Sequence, residues 1–155
     1  MTEALKVDLC CSYRKPEGFV GVDRLPGDGV DIVHDLSTGF PFEDSTVSYL
    51  RAHDAIEHLP DRLLTMNEIY RVCRNGATVD IKVPSTDGRG AFQDPTHVSY
   101  WNINSFYYYS SDHPSYWKVC RSYGFKGDFA IRKLMNVGTI DAVVWVVALL
   151  EARKD

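Results

Sequence analysis

Four short apolar runs in the first third of the chain each carry or end on an acid or a histidine, and this repetition restricts the fold more than any other feature. They are Leu5–Cys10 (LKVDLC, with Asp8), Phe19–Val22 closed by Asp23, Val30–Val33 closed by His34 and Asp35, and Thr46–Ala52 closed by His53 and Asp54. Runs of this length, bounded by turn residues such as those of Leu25–Gly29 (LPGDG), predict buried strands. The period then changes. Leu63, Leu64, Met66, Ile69, Tyr70 and Val72 follow helical spacing, with Asn75-Gly76 as the expected stop. Ala77–Val83 (ATVDIKV) alternates as a strand, and Phe129–Leu134 and Asp141–Ala152 predict two more strands joined near Gly138. Strands interleaved with a helix indicate an open α/β sheet, and 155 residues fit one domain over 1–155.

Ligands of such sheets bind beyond the carboxyl ends of the strands. That rule turns Asp23, Asp35 and His53 into site candidates on one sheet edge. A carboxylate closing the second strand can accept hydrogen bonds from a ribose diol, as in other nucleotide-binding folds. Asp35 could accept from an adenine amino group while Leu36 packs on the ring, although an Asp there can equally bond its own turn. Only fifteen residues separate Asp8 from Asp23. A full crossover helix hardly fits, since parallel strands need about a dozen connecting residues. A minimal turn of helix or an irregular loop is expected instead.

Two further stretches invite chemistry. His53–His58 (HDAIEH) resembles the zinc pattern H-x-x-E-H, but its histidines are five apart and would not share a helical face, so no metal site is expected. Glu57 and His58 are expected to order a loop or line a pocket mouth. Asp94–Trp101 (DPTHVSYW) opens on a turn and presents His97 beside Tyr100 and Trp101. It could form a lid over a substrate, with His97 as a general base. The aromatic-rich segment 92–117 around it reads either as a lid or as a contact surface.

Composition narrows the partners. A net charge of -4 argues against nucleic acid as the main partner. Cys10, Cys11, Cys73 and Cys120 form no C-x-x-C pair, which argues against a zinc ribbon. There is no apolar leader after Met1, and the most apolar run, Ala142–Leu150, is too short for a bilayer. A reducing, cytoplasmic setting with no membrane partner is expected.

The segments VDLCCSYRKPEGFVGVD, GVDIVHDL, FPFEDSTVSYLRAHDAIEHLPD, EIYRVCRNGATVDIKVP and DPTHVSYW together resemble the short class I S-adenosylmethionine (SAM)-dependent methyltransferases often labelled type 11. The resemblance runs from about Lys6 to Trp101. It implies a Rossmann-like, mostly parallel sheet of seven strands with an antiparallel last strand, and SAM as cofactor. It assigns the first-strand acid to Asp8, loop contacts to Cys10 and Ser12, the ribose acid to Asp23, the adenine pair to Asp35 and Leu36, and the methionine side to Ala52 and His53. Asp54, Glu57, His58 and Trp101 would line the acceptor side, with His53 or His97 as base. The family's glycine-rich first loop is here Asp8-Leu9-Cys10-Cys11-Ser12. A non-glycine residue at positive φ there costs on the order of 1 kcal/mol. Two functions follow: methyl transfer to a small-molecule acceptor, or a non-catalytic methyltransferase-like module that serves a protein partner.

Overall fold

The apolar runs become neighbouring strands of one sheet. The structure, a computed structural model, describes residues 3–155. Its strands are β1 (Leu5–Leu9), β2 (Val20–Asp23), β3 (Ile32–Val33), β4 (Val47–His53), β5 (Cys73–Pro84), β6 (Phe129–Gly138) and β7 (Val144–Ala152). They form a seven-stranded sheet in the order β3-β2-β1-β4-β5-β7-β6. Strand β7 runs antiparallel to both β5 and β6, and the remaining pairs are parallel. This is the mostly parallel Rossmann-like sheet that the sequence implies. The β6–β7 hairpin turns just after Gly138, which pairs with Val144.

Alternation along the strands places the core on one face. Leu50 and Ala52 of β4, Val79 and Ile81 of β5, and Ala148 and Leu150 of β7 are buried. They pack with Met66, Ile69 and Val72 of helix α1 (Arg62–Val72), and with Phe106 of α3 (Ile103–Tyr107) and Cys120 of α4 (Pro114–Ser122). A short α2 (Gly90–Gln93) precedes these last two. Asp61 caps α1 by accepting from the Leu64 amide at 2.9 Å. The opposite face carries Tyr49, Arg51, His53, Asp80 and Lys82, which are only half-buried. A parallel sheet covered on both faces reads as continuous apolar runs; this one alternates because one face is polar.

On the connections, one expectation is corrected, and of the two forms expected for the β1–β2 connection the irregular loop is the one found. The helix does not stop at Asn75-Gly76. It ends at Val72 and the chain enters β5 at Cys73, with Gly76 at φ 78° where the β4–β5 register shifts. The helix can pass directly into a strand because the Ser45 and Thr46 amides donate to the Arg71 and Val72 carbonyls. The β1–β2 connection is an irregular loop with no helix. Cys11 bonds back to β2, amide to Val22 carbonyl at 3.3 Å. A Cβ on Gly21 would stand 2.2 Å from the Gly29 carbonyl oxygen, so only glycine lets this loop layer press onto β2.

Candidate active site

The C-terminal ends of β1, β2 and β4 open into a cleft, built by the loop that leaves β1. Cys10 (φ 52°) and Ser12 (φ 44°) both take left-handed backbone conformations, as the missing glycines require. The turn is held from across the cleft: Asp23 Oδ2 accepts from the Ser12 amide at 3.1 Å, and Oδ1 from the Leu25 amide at 3.1 Å. A cavity of about 660 Å³ follows, lined by Cys10, Ser12, Asp23, Asp35, Leu36 and Asp54, with His58, Thr96 and Val98 on the far wall. A second hollow of about 560 Å³ shares Cys10, Ser12, Asp54 and His58 and adds Arg14, Arg51, His53, Lys82 and Asp94. The two make one cleft with an acidic end and a mixed-charge end. Two other hollows, beside Phe40–Asp44 and beside Asn67 and Tyr70, hold none of the expected residues.

At the acidic end, Asp35 caps a 3-10 turn over Leu36–Thr38, accepting from the Ser37 amide at 3.0 Å and its hydroxyl at 2.7 Å. The Ser37 bonds hold the Asp35 carboxyl below its usual range. Asp35 thus bonds its own turn and also lines the cavity. The Cys10 thiol is pushed up to about 12 by burial, so it lines the wall as a neutral group.

At the other end, His53 Nε2 lies 2.8 Å from Asp80 Oδ1, and Tyr49 Oη donates to Asp80 Oδ2 at 2.9 Å. Burial would raise Asp80, but the His53, Tyr49 and Arg51 interactions outweigh it and hold the carboxyl below its usual range. Since Asp80 accepts, the bonded Nε2 carries the ring proton and Nδ1 is left as the basic atom. Arg51 Nη1 lies 3.1 Å from both oxygens of Asp8. Asp80, Arg51 and Lys82 are not among the sequence candidates. The one signal for them is charge alternating with apolar residues in YLRAH and TVDIKV.

Five expected residues sit elsewhere, and Glu57, expected on the acceptor side, is one of them: it is buried and lines neither hollow. Asp8 is 1% exposed and turns both oxygens to Arg51, so it supports the floor and does not face the cleft. Ala52 is fully buried on the core side of β4. Trp101 is also fully buried; its Nε1 donates to Ser99 Oγ at 3.0 Å and its ring packs against Phe106. His97 lies beneath the cleft wall with its side chain 7% exposed, which removes it as a base acting in the cleft.

The loop carrying His97 is no loose lid. The Glu57 carbonyl accepts from the Val98 amide at 2.8 Å and the Ser99 amide at 3.1 Å, and Ser99 Oγ donates to the Ile56 carbonyl at 2.9 Å. These bonds lay DPTHVSYW against the 3-10 turn Ile56–His58 and set His97 against His58, ring centroids 5.0 Å apart. The Glu57 side chain is 2% exposed and neither carboxylate oxygen has a hydrogen-bond partner among the described residues. Burial pushes its carboxyl up to about 8, and Asp54 and Asp94 add to this. One donor atom from each of Glu57, His58 and His97 lies within 4.8 Å of the others.

The fold has counterparts among solved structures. A SAM-dependent methyltransferase from Methanosarcina mazei superposes with TM-score 0.63 at 12% identity, over 99% of this chain and 95% of that one. The chain has the class I methyltransferase fold. The same fold superposes on the YcgJ protein of Bacillus subtilis with TM-score 0.66 at 10% identity, over 99% of this chain and 93% of that one. It also superposes on Haemonchus contortus phosphoethanolamine N-methyltransferase 2 in complex with SAM, with TM-score 0.61 at 12% identity, over 100% of this chain and 50% of that one. No family model and no curated protein sequence matches the chain.

Proposed function

We propose that the chain is a SAM-dependent methyltransferase acting on a small-molecule acceptor. The observation that carries this reading is Asp23, which closes β2 inside the cavity while its carboxylate holds the Ser12 turn. Each Asp23 oxygen accepts one amide and keeps a lone pair for a ribose hydroxyl. Asp35 and Leu36 lie at the same end for an adenine, and the cavity volume falls within the usual range of ligand sites, about 300–1,000 Å³. SAM, when bound, supplies an activated methyl group on its sulfonium. The protein then has mainly to align the acceptor, and alignment accounts for much of such an acceleration. His53 is the base of this reading: Asp80 fixes its ring, and Nδ1 takes the acceptor proton where the acceptor is not already a nucleophile. Asp54 and His58 border the acceptor side.

Calorimetric titration with SAM and S-adenosylhomocysteine tests the proposal. Binding at about 10 μM or tighter is expected, near -7 kcal/mol. Asp23→Ala should weaken it by roughly 1.5–3 kcal/mol, the range for a hydrogen bond to a charged group. No binding of either ligand at millimolar concentration would overturn the reading and favour a non-catalytic module that serves a protein partner.

A further inference from the structure

Methyl transfer gives no role to three neighbouring side chains, Glu57, His58 and His97, beyond the place of His58 on the cleft wall. A buried carboxylate with no partner is costly, and native structures rarely leave one. The two imidazoles beside it are pinned in a revealing way. His97 Nδ1 lies 3.0 Å from the Ala91 carbonyl, and His58 Nδ1 lies 3.2 Å from the Thr96 carbonyl. A carbonyl only accepts, so each Nδ1 carries the proton and each Nε2 is a bare donor of its lone pair. Thr96 Oγ1 fits this assignment, since it gives its own proton to Asp94 Oδ1 at 2.6 Å and can accept from His58. His58 Nε2 stands 3.7 Å from Glu57 Oε1, and His97 Nε2 stands 3.7 Å from Asp94 Oδ2. Both separations exceed a hydrogen bond and leave the two Nε2 lone pairs free to share one ion.

We propose that Glu57, His58 and His97 form a divalent-metal site, with one carboxylate oxygen and two Nε2 atoms as ligands. Imidazole nitrogens with a carboxylate select a first-row ion such as Zn²⁺, Co²⁺ or Ni²⁺ over Ca²⁺ and Mg²⁺, which take oxygen. Ligands about 2.1 Å from one ion stand about 3.5 Å apart, so the 4.8 Å triad needs to close by about an ångström. The carbonyls on both Nδ1 atoms orient the rings as outer partners of metal-bound histidines do. Asp94 and Asp54 add negative charge beside the triad, and the ion lies under the acceptor end of the cleft, where His58, Thr96 and Asp94 form the wall. Three protein ligands leave it open positions, as in metal sites that bind a substrate or water. The histidine pair the sequence presents, His53 and His58, is not the one used. His53 is held by Asp80, and the second ligand arrives from the loop after β5. The site stands on its own geometry. A protein that binds metal but not S-adenosylhomocysteine would sink the methyl-transfer reading and leave this one intact.

The test is titration of the chelator-stripped full chain with Co²⁺, read by its visible d–d absorption, with Zn²⁺ competing. Uptake of about one ion per chain at micromolar affinity or tighter is expected. Glu57→Gln and His97→Gln should each weaken it on the order of 100-fold, while His113→Gln, outside the triad, should not. Circular dichroism and a thermal melt establish that each variant is folded. Should one fail to fold, ring nitrogen shifts of the wild type on adding Zn²⁺ decide, and shifts at His58 and His97 are expected. No uptake at millimolar Co²⁺, uptake that survives both Glu57→Gln and His97→Gln, or Zn²⁺ shifts confined to other histidines would overturn the proposal.

Discussion

The two rims of the sheet each bury a glutamate beside charged neighbours, and treat it in opposite ways. Below the strands, Glu68 accepts from Arg71 Nε and Nη2 at 2.7 Å each and from the Phe40 amide at 2.7 Å. Arg71 directs its remaining donors to Asp44 and to the Phe40 and Phe42 carbonyls. Every polar group there is matched, and the Arg71 bonds hold the Glu68 carboxyl below its usual range. Above the strands, Glu57 is buried more deeply, has no hydrogen-bond partner among the described residues, and is pushed up to about 8. The same side chain is thus stabilising at one rim and destabilising at the other. The difference marks the upper rim as the working end, since an unmatched buried polar group persists where a ligand completes it.

The comparison breaks if the lower rim proves dispensable. Arg71→Ala strands Glu68, whose side chain is 14% exposed, and should cost roughly 2–4 kcal/mol in urea denaturation. Acid should act through the same pair. A carboxyl held below its unfolded value near 4.3 contributes stability that is full above that value and is lost as pH falls through the lower folded one. The wild-type melting temperature should therefore drop below about pH 4, and this part of the drop should vanish in Arg71→Ala. At the upper rim the sign reverses. Glu57→Gln, measured with chelator at neutral pH, should gain about 1 kcal/mol, because the wild-type carboxyl must take up a proton to be buried without a partner; a loss of that size would place Glu57 with Glu68 as a structural residue. The smallest effect is at the turn. Ser12→Gly should gain up to about 1 kcal/mol by relieving its left-handed backbone, with affinity for S-adenosylhomocysteine kept or improved.

What the sequence makes legible follows from range. The strands, their order of use and the acids closing them are local patterns, so Asp23, Asp35 and Leu36 are readable at the ends of apolar runs. The left-handed Ser12 is readable too, from the position where glycine is expected. Burial is not local. Trp101 looks like a rim aromatic beside His97, yet it turns inward because Phe106 and Tyr109, on the next helical turn, complete its pocket. Asp8 looks like a free acid until β4 sets Arg51 in register with it. The meeting of Glu57 with His97 needs the whole of α1 and β5 to fold before the two motifs touch, and no spacing rule spans that distance.

The bonds that fasten the DPTHVSYW loop to the Ile56 and Glu57 carbonyls also bear on how fast the cleft can fill. Val98 and Ser99 amides tied into a packed turn exchange with solvent only when that turn opens, so they should be among the slowest amides at this rim. An acceptor then meets a wall already in place. Its association should show one phase, linear in concentration, without the plateau that a closing flap imposes.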